Sequence, residues 1–303
     1  MKKNTKSLAT GVAVASLLAT GAVATNAFIN KLVKSLLYRH HRDDDGTNTI
    51  LEQYDACSIY VKNNKGIRLR GILIESENAS KTMIICHPFA LEAKDMAMYI
   101  PFFKDKIQDI NILLVDASAH GQSDGYIRGF GLKDVDDLIV WNKHLLKTYG
   151  DDHKIVLYGK ECGSNTILNA AGKDVLTNVV AIISDGAFTS TYDIIGERLL
   201  KDYRMPKYPA LPLIKRQIYK ETKMNIKEST VSLVKNNTIP TLYFHASEDA
   251  FVPLKHVYPL FNSNGGEKIL FVVKEEHYLC DVEESDDFKS TFKEFVEKYI
   301  NVV

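Results

Sequence analysis

Residues 155–165 read IVLYGKECGSN and place a tight turn between a strand and a helix. The unbroken apolar run is typical of a strand that is buried on both faces. Gly159 and Gly163 allow the chain to turn sharply around Glu161, where a bulkier neighbour would strike the strand or the helix. In the related pattern G-x-S-x-G, the central residue is a nucleophilic serine. This stretch therefore predicts an α/β sheet with a functional position at Glu161.

Short apolar runs alternate with longer amphipathic stretches along the rest of the chain. This pattern predicts an α/β protein with a mostly parallel eight-stranded sheet and helices on both faces. Residues 63–66 predict a hairpin turn between the first two strands. The predicted strands are 58–61, 69–74, 82–86, 112–116, 155–158, 179–184, 241–245 and 269–273, and the predicted helices are 95–106, 132–149, 164–171 and 286–302.

The connection between the sixth and seventh strands is unusually long. It runs over residues 186–239, whereas most crossovers in α/β proteins are much shorter. It contains three prolines, several lysines and apolar stretches with helical spacing. We therefore expect a helical cap inserted into a domain that covers residues 43–303, with a small-molecule, acyl or peptide ligand bound beneath it.

Two further residues follow strands in the order expected of a hydrolase. Asp249 comes after the seventh strand and His277 after the eighth, so that Glu161, Asp249 and His277 stand in the order nucleophile, acid, histidine. The end of the third strand is the place where an oxyanion loop is expected. Its predicted hydrogen-bond donors are the backbone N–H groups of Phe89 and Cys162.

Taken in order, these motifs resemble the α/β-hydrolase family. More narrowly, they resemble bacterial membrane-anchored hydrolases of the esterase or serine aminopeptidase type. The resemblance covers residues 54–300 and implies the α/β-hydrolase fold, with ester or peptide hydrolysis as the ancestral activity. The stretches that carry it include ICHPF, DASAHGQSDG, YGKECGSNTIL, DGAFTSTYDIIGERL, TLYFHASEDAFVP and EEHY.

The chain departs from the family pattern at two positions. Glu161 replaces the serine nucleophile, and Pro88 replaces the glycine that follows the oxyanion histidine. In a serine hydrolase, histidine takes a proton from the attacking hydroxyl, but an ionised Glu161 has none to give to His277. Two carboxylates around His277 would also raise the pKa of the imidazole and make it a poor base. We therefore expect a protein impaired in catalysis that binds a ligand at a membrane surface.

The leading alternative is an active hydrolase with a carboxylate nucleophile, as in epoxide hydrolases. Glu161 would attack a saturated carbon, and Asp249 with His277 would activate the water that hydrolyses the resulting ester. Cap tyrosines would then hold the epoxide oxygen, and the candidates are Tyr192, Tyr203, Tyr208 and Tyr219. A further alternative is that glutamate at position 161 is peculiar to this sequence and that close relatives keep serine.

Neighbouring residues offer other interpretations of the site. Cys162 or Ser164 could replace the missing nucleophile. Three of the four cysteines, Cys86, Cys162 and Cys280, lie near motif residues and could converge on a metal or redox site, but no C-x-x-C pair is present. The simpler interpretation is that they are small buried apolar residues. We predict no metal and no cofactor, since neither a phosphate loop nor a G-x-G-x-x-G turn follows a strand.

Hydrogen bonding alone could account for several other motif residues. Asp249 could be a turn residue that caps the following helix, and His277 a loop histidine held by hydrogen bonds. His120 and Asp185 are most simply turn and hydrogen-bonding residues.

The N-terminal segment and the charge balance indicate where the protein acts. Residues 7–30 carry no charge and follow three lysines, and residues 8–29 are long enough to span a bilayer core. Small-x-small patterns at 22–24 and 25–27 could be cleaved by a signal peptidase. We therefore expect residues 1–42 to be a membrane anchor or signal with a linker. Basic residues on both sides of the run leave the side of the membrane open. We favour an extracytoplasmic domain, which would be secreted if the signal is cleaved. The 38 basic and 38 acidic residues balance, which argues against nucleic-acid binding.

Overall fold

A computed structural model of the protein describes residues 26–39, 48–89, 91–274 and 286–301. Its centre is an eight-stranded sheet in the order β1-β2-β4-β3-β5-β6-β7-β8. Strand β2 is antiparallel to β1 and β4, and all other neighbours are parallel, which confirms the predicted mostly parallel sheet. The strands are β1 (Ala56–Lys62), β2 (Arg68–Ile74), β3 (Lys81–Cys86), β4 (Ile110–Val115), β5 (Lys154–Lys160), β6 (Val179–Asp185), β7 (Thr241–Ala246) and β8 (Lys268–Val273).

Helices cover both faces of the sheet. Helices α2 and α9 bury their apolar side chains on one face, and α3, α4 and α8 bury theirs on the other. The predicted helix at 95–106 is divided, because a 3₁₀ segment over Ala93–Tyr99 precedes α2. The helices are α1 (26–37), α2 (Ile100–Lys106), α3 (Asp134–Tyr149), α4 (Cys162–Gly172), α5 (Thr191–Tyr203), α6 (Lys207–Thr222), α7 (Thr230–Leu233), α8 (Val257–Ser263) and α9 (Asp286–Tyr299).

The predicted hairpin between β1 and β2 is confirmed, and Asn63 organises it. The Oδ1 atom of Asn63 accepts hydrogen bonds from the N–H groups of Lys65 and Ile67, at 2.9 and 3.1 Å. Its Nδ2 donates to Asp137 on α3 at 2.8 Å, and Gly66 takes a φ of +75° that favours glycine. The turn is therefore fixed both locally and against the helix behind it.

Helices α5, α6 and α7 lie between β6 and β7, within the stretch predicted as a cap. Helices α5 and α6 pack with α1 around an apolar cluster that is separate from the two sheet faces. We call α1, α5 and α6 the cap helices. They lie beyond the carboxyl end of β6, and α5 begins six residues after Asp185 ends that strand.

Helix α1 includes the last residues of the predicted membrane segment and the first residues of the predicted linker. Residues 26–30 belong to α1, and Ile29 is 2% exposed because it packs against the cap. The apolar residues Ile29, Leu32, Val33 and Leu37 recur at helical spacing, while Lys31 and Lys34 lie exposed between them. Residues 7–25 lie outside the described ranges. Within those ranges, no helix combines the length and the hydropathy needed to cross a bilayer.

Candidate active site

The turn between β5 and α4 has the strained geometry that its sequence predicts. Glu161 has a φ of +48° and a ψ of −111°. Positive φ is uncommon for a residue with a side chain and is found mainly where the surrounding structure enforces it. Here the Glu161 N–H donates to the Asp185 carbonyl at 2.9 Å, and its carbonyl accepts from the Asn165 N–H at 3.0 Å. The strand and the helix thus hold Glu161 at the tip of the turn.

Close backbone packing explains why glycine is required at the two positions that flank Glu161, 159 and 163. A Cβ atom at Gly159 would strike the carbonyl of Gly163. A Cβ atom at Gly163 would strike the carbonyl of Cys86 and would lie 2.8 Å from the carbonyl oxygen of His87. Helix α4 therefore begins directly against the end of β3, which is where the oxyanion loop was expected.

Burial dominates the electrostatics of Glu161. It raises the pKa of the half-buried carboxyl from an ordinary 4.5 to about 7; Asp249 and Asp185 add to the rise, while Lys160 and Arg198 oppose it. Lys160 is itself engaged, because its Nζ atom donates to Asp185 Oδ2 at 3.1 Å. Glu161 is consequently divided between its neutral and ionised forms at neutral pH.

This raised pKa makes the stability of the protein depend on pH. The unfolded chain ionises Glu161 near pH 4.5 and the folded chain near pH 7, so folding stability falls as the pH rises between these values. The difference corresponds to at most roughly 3 kcal/mol. We expect urea unfolding of wild type, compared with Glu161→Gln, to show a relative loss of this order from pH 4.5 to pH 8. Parallel pH profiles of the two proteins would contradict the assignment.

One carboxylate oxygen of Asp249 accepts hydrogen bonds within the turn after β7. Its Oδ1 atom accepts hydrogen bonds from the N–H groups of Phe251 and Val252 at 2.7 and 2.8 Å, which is the turn role considered from the sequence. Its Oδ2 atom faces Gly186: a Cβ atom added at Gly186 would lie 3.5 Å from this oxygen. Asp249 also raises the pKa of Glu161, so the two carboxyls are electrostatic neighbours. His277 lies outside the described residues, and its role as their partner stays a prediction.

His87 and Phe89, which follow β3, make several close contacts. His87 Nδ1 lies 2.7 Å from the Pro88 carbonyl, and Nε2 accepts from the Ala117 N–H at 3.1 Å, so the proton belongs on Nδ1. Burial lowers the pKa of His87 and keeps the ring neutral. The Phe89 ring stacks on Phe130 at 5.0 Å. Pro88 is therefore accommodated between two residues with defined contacts, despite the departure from the family pattern.

Phe89 and Cys162, the predicted oxyanion donors, meet at one cavity. Cys162 is the first residue of α4, so its N–H has no partner within the helix. His120 lies behind the loop, with its ring nitrogens 3.1 Å from the carbonyls of Ser118 and Phe89. Its hydrogen-bonding role agrees with the sequence interpretation, as do the hydrogen bonds that Asp185 accepts from the Tyr158 hydroxyl and Lys160 Nζ.

The alternative nucleophiles beside Glu161 are not activated. The Ser164 hydroxyl is fully buried and lies 2.6 Å from the Ser184 hydroxyl. Burial raises the pKa of the Cys162 thiol, and it raises that of Cys86 to about 12, so both stay protonated. Both are buried free thiols, and Cys280 lies outside the described residues. Within the described ranges, no three His, Cys, Asp or Glu side chains are grouped so that they could hold a metal ion.

The cavity beside the turn measures about 190 Å³ and is mainly apolar. Phe188 and Phe251 line it near Cys162, while Leu32 and Leu36 of α1 line it from the cap. The contribution of α1 was not predicted, because the spacing of its leucines indicates an apolar helix face but not what covers that face. Of the four cap tyrosines considered for epoxide chemistry, Tyr203 lines this cavity. The other three, Tyr192, Tyr208 and Tyr219, line a separate groove on the cap.

Comparisons with known proteins agree with this architecture. No family model matches the chain. The chain is 24% identical to the Bacillus subtilis (strain 168) protein YqkD over 298 residues, which cover 96% of each chain. Among solved structures, it is similar to the Pyrococcus furiosus esterase Pf2001, with a TM-score of 0.65 and 19% identity over 84% of this chain and 96% of that one.

The name of a second similar structure states its fold. The α/β hydrolase GrgF from Penicillium sp. sh18 aligns with a TM-score of 0.58 and 16% identity, over 81% of this chain and 99% of its own. Similarities at this level of identity show the fold and leave the chemistry to the site residues. The eight-stranded, mostly parallel sheet, the strained turn after β5 and these structural neighbours together show that the chain has the α/β-hydrolase fold.

Proposed function

We propose that the chain is a protein of serine esterase or peptidase ancestry that binds an acyl or peptide ligand beneath the cap without hydrolysing it. One observation carries the proposal: Glu161 takes the strained conformation at the tip of the β5–α4 turn. In a G-x-S-x-G turn this is the position of the nucleophile. An esterase scaffold with glutamate at this position keeps its binding surfaces but loses the attacking hydroxyl.

Both forms of Glu161 are unsuited to ester hydrolysis. The ionised form has no proton for His277 to accept, and the neutral form presents a weakly nucleophilic carboxylic acid. With a pKa of about 7, the side chain is shared between these two forms at neutral pH. In this proposal Asp249 and His277 survive as parts of a site that no longer completes the reaction.

The proposal places the protein at a membrane surface. Residues 7–30 are uncharged and follow Lys2, Lys3 and Lys6, as in a bacterial anchor or signal segment. Helix α1, which starts within this run, is bound to the cap. An anchor at this place would hold the cap side of the domain near the bilayer, outside the cytoplasm in the orientation we favour.

Binding without turnover is the direct test of this function. We expect full-length wild-type protein to bind p-nitrophenyl butyrate in a calorimetric titration, while p-nitrophenol release stays at the rate of buffer alone. Removal of the imidazole by His277→Ala should leave the release rate unchanged. Turnover by wild type that disappears in His277→Ala would overturn the proposal.

The carboxylate-nucleophile mechanism is the second candidate, and Tyr203 is the observation that favours it. This phenol lines the cavity beside Cys162, where it could donate to an epoxide oxygen. Attack by Glu161 would open the epoxide and leave an ester on the enzyme, which intact-mass spectrometry detects after incubation with an aryl epoxide. An adduct on wild type that is absent in Glu161→Gln would establish this mechanism. An unmodified mass together with no diol formation across a panel of epoxides would exclude it.

A further inference from the structure

The cavity between the β5–α4 turn and the cap joins two packed clusters. Cys162, Phe188 and Ile194 belong to a small cluster at the turn. Leu32 and Leu199 belong to the larger cluster of the cap helices. Phe89 packs against both clusters and also lines the cavity, which therefore extends from the predicted oxyanion donors towards α1.

Several of the polar groups around this cavity are already paired. The Arg198 guanidinium donates to both carboxylate oxygens of Asp202, at 2.9 and 2.7 Å, and to the Ala250 carbonyl at 3.1 Å. The Phe188 N–H and carbonyl both bond to the side chain of Asn165, at 2.9 and 2.6 Å. The remaining surface is formed chiefly by leucine, isoleucine and phenylalanine side chains.

This pairing distinguishes between the two ligand classes. Each residue of a peptide brings an N–H donor and a carbonyl acceptor that must find partners when buried. An acyl chain brings only methylene groups, and each buried methylene contributes about 0.8 kcal/mol, or a fourfold gain in affinity. This mainly apolar cavity, several of whose polar groups are already paired, fits an acyl chain better than a peptide.

Helix α1 is a fixed wall of this cavity. Ile29, Leu32, Val33 and Leu37 are buried in the cluster that α1 forms with α5 and α6, and Leu32 is 7% exposed. Its C-terminal end is fastened to the sheet domain, because the Arg128 N–H donates to the Leu37 carbonyl at 2.8 Å and Arg39 Nη1 donates to the Ser123 carbonyl at 2.8 Å. Leu36 is only partly buried and faces the cavity, so it can be enlarged without displacing a packed core residue.

We infer that the ligand is the acyl chain of an ester or fatty acid, and that Leu32 and Leu36 of α1 set the length of chain that the site accepts. The inference deepens the proposed function and rests on it for the position of the carbonyl group at residue 161. The cavity measures about 190 Å³. We expect a straight chain of medium length, such as octanoyl, to fill it, and lauroyl is the longer chain for comparison.

The test uses the full-length chain in two forms. In the Glu161→Ser background, kcat/KM is measured for p-nitrophenyl acetate, butyrate, octanoate and laurate, with and without Leu36→Trp. We expect values to rise about fourfold per methylene as far as octanoate. Leu36→Trp should lower the octanoate value at least tenfold while acetate changes less than twofold. The matched control is Leu200→Trp, at an exposed leucine of α5 that does not line the cavity.

A binding measurement separates failure of this inference from failure of the proposed function. Octanoate binding to the wild-type protein requires no catalysis, and calorimetry should show it weakened at least tenfold by Leu36→Trp and unchanged by Leu200→Trp. If Glu161→Ser is inactive on every ester but this binding pattern holds, the esterase ancestry fails and the acyl site stands. The inference would be overturned if Leu36→Trp and Leu200→Trp changed octanoate affinity equally. It would also be overturned if neither variant changed the dependence of kcat/KM on acyl-chain length.

Discussion

Replacing Glu161 by serine is expected to give the protein an esterase activity that wild type lacks. The change restores a hydroxyl at the tip of a turn that already has the strained backbone conformation, with φ at +48°. A positioned general base accelerates such reactions by roughly 10²–10⁴. We therefore expect Glu161→Ser to hydrolyse p-nitrophenyl butyrate about 10³ times faster than wild type, as followed by p-nitrophenol absorbance.

Two further variants isolate the cause of that gain. Glu161→Ala also removes the buried carboxyl but adds no hydroxyl, so it should stay as inactive as wild type. Adding His277→Ala to Glu161→Ser should abolish the gain, because the hydroxyl would lose its base. A gain of equal size in Glu161→Ala would show that relief of charge, and not a new nucleophile, produces the activity.

Replacing Gly163 by alanine is expected to be the most destabilising single-atom change at the site. The added Cβ would strike the Cys86 carbonyl and lie 2.8 Å from the His87 carbonyl oxygen, and both obstacles are backbone atoms. Overpacking of this kind costs about 3 kcal/mol or more when the obstacle cannot rotate away. The expected result is a midpoint of thermal unfolding lowered by roughly 5–10 °C, as measured by circular dichroism.

Gly196→Ala is the matched control for this prediction. Gly196 also lies in a helix, α5, but its Cβ would meet the ends of flexible side chains, with Leu211 Cδ2 at 3.0 Å and Lys207 Cε at 3.3 Å. Alanine gains about 1 kcal/mol over glycine in a helix interior, which offsets the closer packing. Stability should therefore change by less than about 1 kcal/mol. If Gly163→Ala changes stability as little as Gly196→Ala does, the start of α4 does not pack directly against the end of β3.

The sheet and the turn after β5 could be predicted because local patterns determine them. Strand β5 contains an apolar run, residues 155–158, that is followed by Gly159, and such a run predicts a strand when a glycine-rich turn and a helix come next. Seven other strands were predicted in the same way, and the observed sheet contains all of them. The hairpin turn at Asn63 also follows from its own residues, since the asparagine side chain makes the turn's hydrogen bonds.

The role of α1 could not be predicted with the same rules. Residues 26–30 continue an uncharged run, and the hydropathy of a run does not reveal whether lipid or protein covers it. Packing of Ile29, Leu32 and Val33 against α5 and α6 is a long-range contact that depends on the tertiary arrangement. The pKa of Glu161 is likewise a property of the fold, because burial raises it and charges from separate strands and helices modify it.

Covalent labelling tests the central claim, that Glu161 stands in the nucleophile position of an esterase scaffold, most directly. A fluorophosphonate probe reacts with a serine that a neighbouring base activates, and intact-mass spectrometry counts the bound groups. We predict no label on wild type and one label on Glu161→Ser, mapped by peptide sequencing to position 161 and lost when His277→Ala is added. A label on the wild-type protein, or a label at any other position in Glu161→Ser, would contradict the claim.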